Sequence, residues 1–175
     1  NGATNDIDAS KLTFTGEGGA PHTLTDSSDV ESTSGTAFTV TLSSTDKAAI
    51  NQIVNKNGTS STNGTTYNLA AAEDWAAGAS SAVTVADLTG NGITASSVAT
   101  PTITSATYDA RAGALVVTGT GFLRASGAAN DIVASKFTFT GEGGSTYTLT
   151  DSANAEITSG TAFTITLSAT DKAAV

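Results

Sequence analysis

Oxygen-bearing side chains recur at short spacings in three stretches of this chain, and divalent cation binding is the chemistry they suggest. The sharpest stretch is Asp87-Leu-Thr-Gly-Asn-Gly-Ile93. Oxygens at Asp87, Thr89 and Asn91, a glycine at the sixth position and an isoleucine at the seventh match the first half of a calcium loop. Calcium takes several hard oxygens on a tight turn, and that glycine permits the turn. The twelfth position is Val98, so the bidentate glutamate of such loops is missing. The competing reading is a plain Thr-Gly-Asn-Gly turn. A weaker candidate is the acidic loop of Asp6 and Asp8, whose copy carries Asp131 but has Val133 in place of the second aspartate. Solvated turn carboxylates and Asx caps compete with calcium there too.

Other chemistries have less to stand on. Cysteine is absent, which removes thiol nucleophiles, disulfides and Cys-based zinc sites. His22 is the only histidine, and Tyr147 stands at its copy, so a triad cannot exist in both copies. The glycine-rich turns lack a following Lys-Ser/Thr and are not phosphate loops. Glu73-Asp74 beside Trp75, with the polar loop 57–66, suggests a sugar site. Against it, Trp75 packing a short helix at Ala70–Ala77 onto the sandwich is the simpler use of that ring.

The elements that position these residues are set by a repeat. Asn5–Ile50 and Asn130–Val175 are near-copies at an offset of 125 residues, and 36 of the 50 positions in 1–50 match those in 126–175. Long-period near-copies mark an array. One period is the size of a domain. Residues 1–98 therefore read as the C-terminal part of one 125-residue repeat whose opening strands are missing. Residues 99–175 read as the N-terminal part of the next.

The formal net charge is −9, with only seven Lys and Arg residues. Such a chain has no grip for a phosphate backbone, so nucleic acid is not an expected partner. No apolar run approaches membrane-spanning length, so membrane insertion is not expected either.

Alternation of apolar residues with Thr and Ser predicts strands at Lys11–Thr15, His22–Thr25, Ala37–Leu42, Ala82–Ala86, Thr102–Tyr108 and Ala114–Thr118. Gly16-Glu17-Gly18-Gly19 predicts a hairpin turn, as does its copy Gly141–Gly144. A helix is predicted over Lys47–Lys56, capped by Ser44 or Thr45, with Asp46 suiting its positive end. Ala70–Ala77 reads as a second short helix.

Pro101-Thr-Ile-Thr-Ser-Ala-Thr-Tyr followed by Gly113-Ala-Leu-Val-Val-Thr-Gly-Thr-Gly-Phe122 resembles the opening of immunoglobulin-like modules of the plexin and transcription-factor (TIG) type. The whole chain resembles, in composition, the tandem immunoglobulin-like repeats of giant bacterial surface proteins and adhesins. The resemblance implies a mainly β fold of immunoglobulin-like β-sandwich repeats with a short helical insertion per unit. It implies a non-catalytic structural module of an extracellular stalk, fibre or surface layer; a carbohydrate- or ligand-binding sandwich is the alternative. An incomplete sandwich exposes edges that seek partners. Adjacent repeats of the same chain, or neighbouring copies meeting it by strand or edge contacts, are the expected partners.

Overall fold

A computed structural model describes residues 5–175. The chain is mainly β, in antiparallel sheets, and separates into two compact units, Asn1–Val98 and Ala99–Val175. Among the described residues no helix is long and apolar enough to cross a membrane.

In the first unit, β1 (Leu12–Thr15) and β2 (Pro21–Thr23) form the expected hairpin around a turn at Glu17–Gly19. Gly18 and Gly19 adopt φ of 63° and 82° there, a region open to glycine at little cost. β5 (Asn68–Ala71) pairs with the other side of β1, giving the order β2-β1-β5. In register, Phe14 stands opposite His22 on one side and Leu69 on the other. β3 (Ser32–Ser34) and β4 (Ala37–Phe38) make a small separate hairpin. Helix α1 (Ser44–Ile53) buries Ile50 and Ile53, and Ile50 joins Ile7, Leu12 and Leu24 in the core.

Five expectations are corrected in this unit. The helix begins at Ser44, with Ser43 as its cap, because the Ser43 hydroxyl reaches the Asp46 amide at 3.0 Å. It ends at Ile53, so Lys56 lies beyond it. Ala70–Ala77 is not a helix: Asn68–Ala71 pairs along β1, and the run then turns through Asp74 at φ 65°. Alanine favours helices by only tenths of a kcal/mol per residue, which a ladder of strand hydrogen bonds overrides. Ala82–Ala86 is not a strand; Val83 is exposed, and the Val85 amide bonds the Glu73 carboxylate at 3.1 Å. Of Ala37–Leu42 only Ala37–Phe38 is regular strand.

In the second unit, β6 (Thr102–Asp109) and β7 (Ala114–Thr120) form a long hairpin. They complete a four-stranded sheet with β10 (Ile157–Ser159) and β11 (Ala162–Thr166), in the order β10-β11-β7-β6. Alternate residues of β7 are buried, as the period-2 pattern requires. Val117 lies opposite Phe163 and Leu115 opposite Ile165. The Phe163 ring packs edge-on against Phe122 and Phe137, with centroids 5.0 and 5.7 Å apart. β8 (Thr138–Thr140) and β9 (Thr146–Thr148) repeat the β1–β2 hairpin, and α2 (Ala169–Ala174) repeats the start of α1.

The two units differ where neighbours differ. β11 spans five residues and Phe163 is 1% exposed. Its counterpart β4 spans two residues and Phe38 is only half-buried. β7 pairs along β11 and holds it extended; among the described residues β4 pairs with β3 alone.

Candidate functional site

The most constrained polar group of each unit is an aspartate at the first turn of its helix. Asp46 is fully buried. Its Oδ1 accepts from His22 Nε2 at 2.8 Å, the Thr25 amide at 3.0 Å and the Thr25 hydroxyl at 3.1 Å. Its Oδ2 accepts from the Ser27 hydroxyl at 2.6 Å, the Ser27 amide at 2.9 Å and the Asp26 amide at 3.3 Å. The local sequence builds this. Ser43 and Asp46 stand at the spacing of a capping box, in which the acidic side chain normally returns to the cap's own amide. Here Asp46 turns instead to the loop after β2. The Ser27 hydroxyl receives the Ser43 amide at 2.9 Å in its place. One carboxylate thus ties the helix start to residues 25–27.

The second unit repeats the arrangement at an offset of 125. Buried Asp171 accepts from Tyr147 Oη at 2.7 Å, the Thr150 amide and hydroxyl at 3.0 Å, the Asp151 amide at 3.0 Å, and the Ser152 amide and hydroxyl at 2.7 and 2.6 Å. The Ser168 amide bonds the Ser152 hydroxyl at 2.9 Å. A tyrosine hydroxyl replaces the imidazole at the same oxygen, so the position demands a donor rather than a base.

Desolvation pushes the Asp46 pKa up. Hydrogen bonds from the Ser27 hydroxyl, His22 and the backbone amides of Thr25 and Asp26 outweigh it and hold the carboxyl well below the usual range. In Asp171 the same desolvation is outweighed by Ser152, the Thr150 and Asp151 amides and Tyr147. The Tyr147 hydroxyl is pushed up: its contact with the Thr150 hydroxyl acts downward, but donation to the Asp171 carboxylate, desolvation and the charges of Asp171 and Asp151 act upward and prevail. A fully bonded carboxylate whose pKa is held well below the usual range is suited to fixing segments in place. It is poorly suited to exchanging protons.

Each calcium candidate sits elsewhere. Residues 87–92 run along the outer edge of β5, with Asp87 bridging Ala71 and Gly92 bridging Asn68. The Asp87 carbonyl accepts from the Ala71 amide at 2.7 Å and from Asn91 Nδ2 at 3.2 Å. Asn91 in turn donates its amide to Asn68 Oδ1, and its carbonyl accepts from the Leu69 amide. Thr89 lies in the exposed turn between them. Asp6 accepts the amide and hydroxyl of Ser32, which lower its pKa. Asp8 accepts the amide and hydroxyl of Ser10, capping a short turn at Ala9–Lys11. Asp131 accepts the amides of Ala125 and Ile157 at 2.6 and 3.0 Å. Among the described residues no three His, Asp or Glu side chains converge as a metal cluster.

The sugar-site residues are also placed. Trp75 is half-buried, donates from Nε1 to the Val85 carbonyl at 2.7 Å and packs on Phe38 at 5.9 Å. In the loop 57–66, Asn63 Oδ1 takes the Thr65 amide and the hydroxyls of Ser61 and Thr65.

Sequence reasoning assigned Asp46 only to the helix dipole and missed the cage. The signal was available: Thr-Asp-Ser at 25–27 and 150–152, and Ser-x-x-Asp at 43–46 and 168–171, survive unchanged in both copies.

No protein-family model, curated protein or solved structure matches this chain.

Proposed function

We propose that this chain is a non-catalytic structural repeat of a long secreted bacterial surface protein, built of immunoglobulin-like sandwiches stacked into a stalk, fibre or surface layer. One observation carries the reading. The two copies share one buried frame, the caged Asp46 and Asp171, each tying the start of a helix to the loop after a hairpin. Even the exchange of His22 for Tyr147 keeps a hydrogen bond and discards a base. In an array, each unit is stabilised by itself and by its neighbours. A repeated internal anchor at a helix start suits a module that must resist extension.

The test is the flanking sequence together with single-molecule stretching of the longer chain. Further copies at a period of 125, unfolding in equal steps of roughly 40 nm at ~3.5 Å per residue, are expected. A lone copy flanked by unlike domains would sink the reading.

A further inference from the structure

In the first unit a single stretch, residues 51–71, covers three neighbouring features. The end of α1 presses its backbone onto Gly16, where an added Cβ would stand 2.4 Å from the Ile53 carbonyl oxygen. Asn55 Nδ2 and the Thr62 hydroxyl then close on the Glu17 carboxylate at 2.8 and 3.1 Å, and Glu17 is 4% exposed. Finally β5 pairs along β1 with Leu69 opposite Phe14.

The second unit carries the same three features bare. Gly141 is exposed, and a Cβ there would meet nothing closer than the Ser145 carbonyl at 3.9 Å. Its φ of −104° is open to any residue, so neither space nor backbone calls for glycine. Glu142 is exposed. β8 pairs with β9 alone among the described residues. Beside β8 lies an apolar groove of about 340 Å³ lined by Tyr108, Leu115, Val117, Phe137 and Phe139. A second, of about 300 Å³, lies between Phe139, Tyr147 and Val175.

We infer that this face of the second unit is an acceptor for a segment with the sequence of residues 51–71, supplied by a further length of the repeat. The inference rests on the array reading and names the partner within it. A generic apolar peptide would satisfy the groove but not the rest. Gly141 fits a backbone carbonyl pressed against it. Glu142 fits amide and hydroxyl donors, and the β8 edge fits an antiparallel strand. Residues 51–71 supply these in the right order. The register follows from the first unit: Asn68 opposite Thr140, Leu69 opposite Phe139 and Ala71 opposite Phe137.

The test extends the full chain by a second copy of residues 51–98 joined after Val175, which stands where Ile50 stands in the first unit. Amide hydrogen exchange at Thr138–Thr140 is then compared with the 175-residue chain. The added copy is expected to slow exchange by at least about tenfold. Gly141→Ala should restore fast exchange in the extended chain, yet leave the melting temperature of the 175-residue chain unchanged. Unslowed exchange, equal slowing by a scrambled extension, or slowing indifferent to Gly141→Ala would each overturn the inference. Absence of further copies in the flanking sequence would instead defeat the array reading, and with it the source of the segment, whatever the exchange rates show.

Discussion

His22 Nε2 lies 2.8 Å from Asp46 Oδ1, and 125 residues later Tyr147 Oη lies 2.7 Å from Asp171 Oδ1. Both rings hang from the second strand of a hairpin, opposite Phe14 and Phe139 respectively. The strand register therefore aims a donor at the helix start in each unit. Which donor it is matters little, because the carboxylate asks only for a hydrogen.

His22→Tyr should accordingly be near neutral, since it installs the arrangement of the second unit in the first. His22→Phe removes the donor and should cost about 1 kcal/mol. Urea denaturation of the two variants side by side checks this. A larger loss for tyrosine than for phenylalanine would contradict it.

Asp46→Ala leaves a ring of amides and hydroxyls without their acceptor inside the unit. The melting temperature of the first unit should fall on the order of 10 °C. Asp171→Ala should act likewise on the second. Differential scanning calorimetry that resolves the two transitions reads each effect on its own unit.

Acid should unfold the chain through these same groups. Asp46 and Asp171 have depressed pKa values when folded, while the unfolded chain titrates near the ordinary ~3.9. The unfolded state thus binds protons first. The stabilisation is complete well above ~3.9, and it declines as pH falls below that value toward the lower folded pKa. Denaturation midpoints between about pH 6 and 2.5 should drop steeply for the parent chain. They should drop less steeply for Asp46→Ala.

Phe163→Ala should cost roughly 3–5 kcal/mol, because it empties a fully packed site on β11 beside β7. Phe38→Ala, at the half-buried counterpart, should cost well under that. Equal losses would mean that β4 is covered as fully as β11.

Gly16→Ala should destabilise the first unit strongly, since the Ile53 backbone occupies the space a Cβ needs. Thermal unfolding of Gly16→Ala beside Gly141→Ala checks the contrast, with only the former expected to melt earlier.

The chain's own residues determined the repeat, the mainly β character, the Gly-rich hairpins, the long strands at Thr102 and Ala114, and a helix following Leu42. These follow from local signals, namely period-2 alternation, glycines that permit positive φ and a serine before a helical run. Tertiary structure alone decided the rest. Ala70 and Ala71 became strand because β1 offers them a ladder. Phe163 is sealed and Phe38 is not because β7 lies beside one and not the other. Asp46 became a buried anchor because β2 and residues 25–27 converge on it from about 20 positions away. A burial cost is set by which donors surround a charge in space, and a local stretch of sequence does not carry that information.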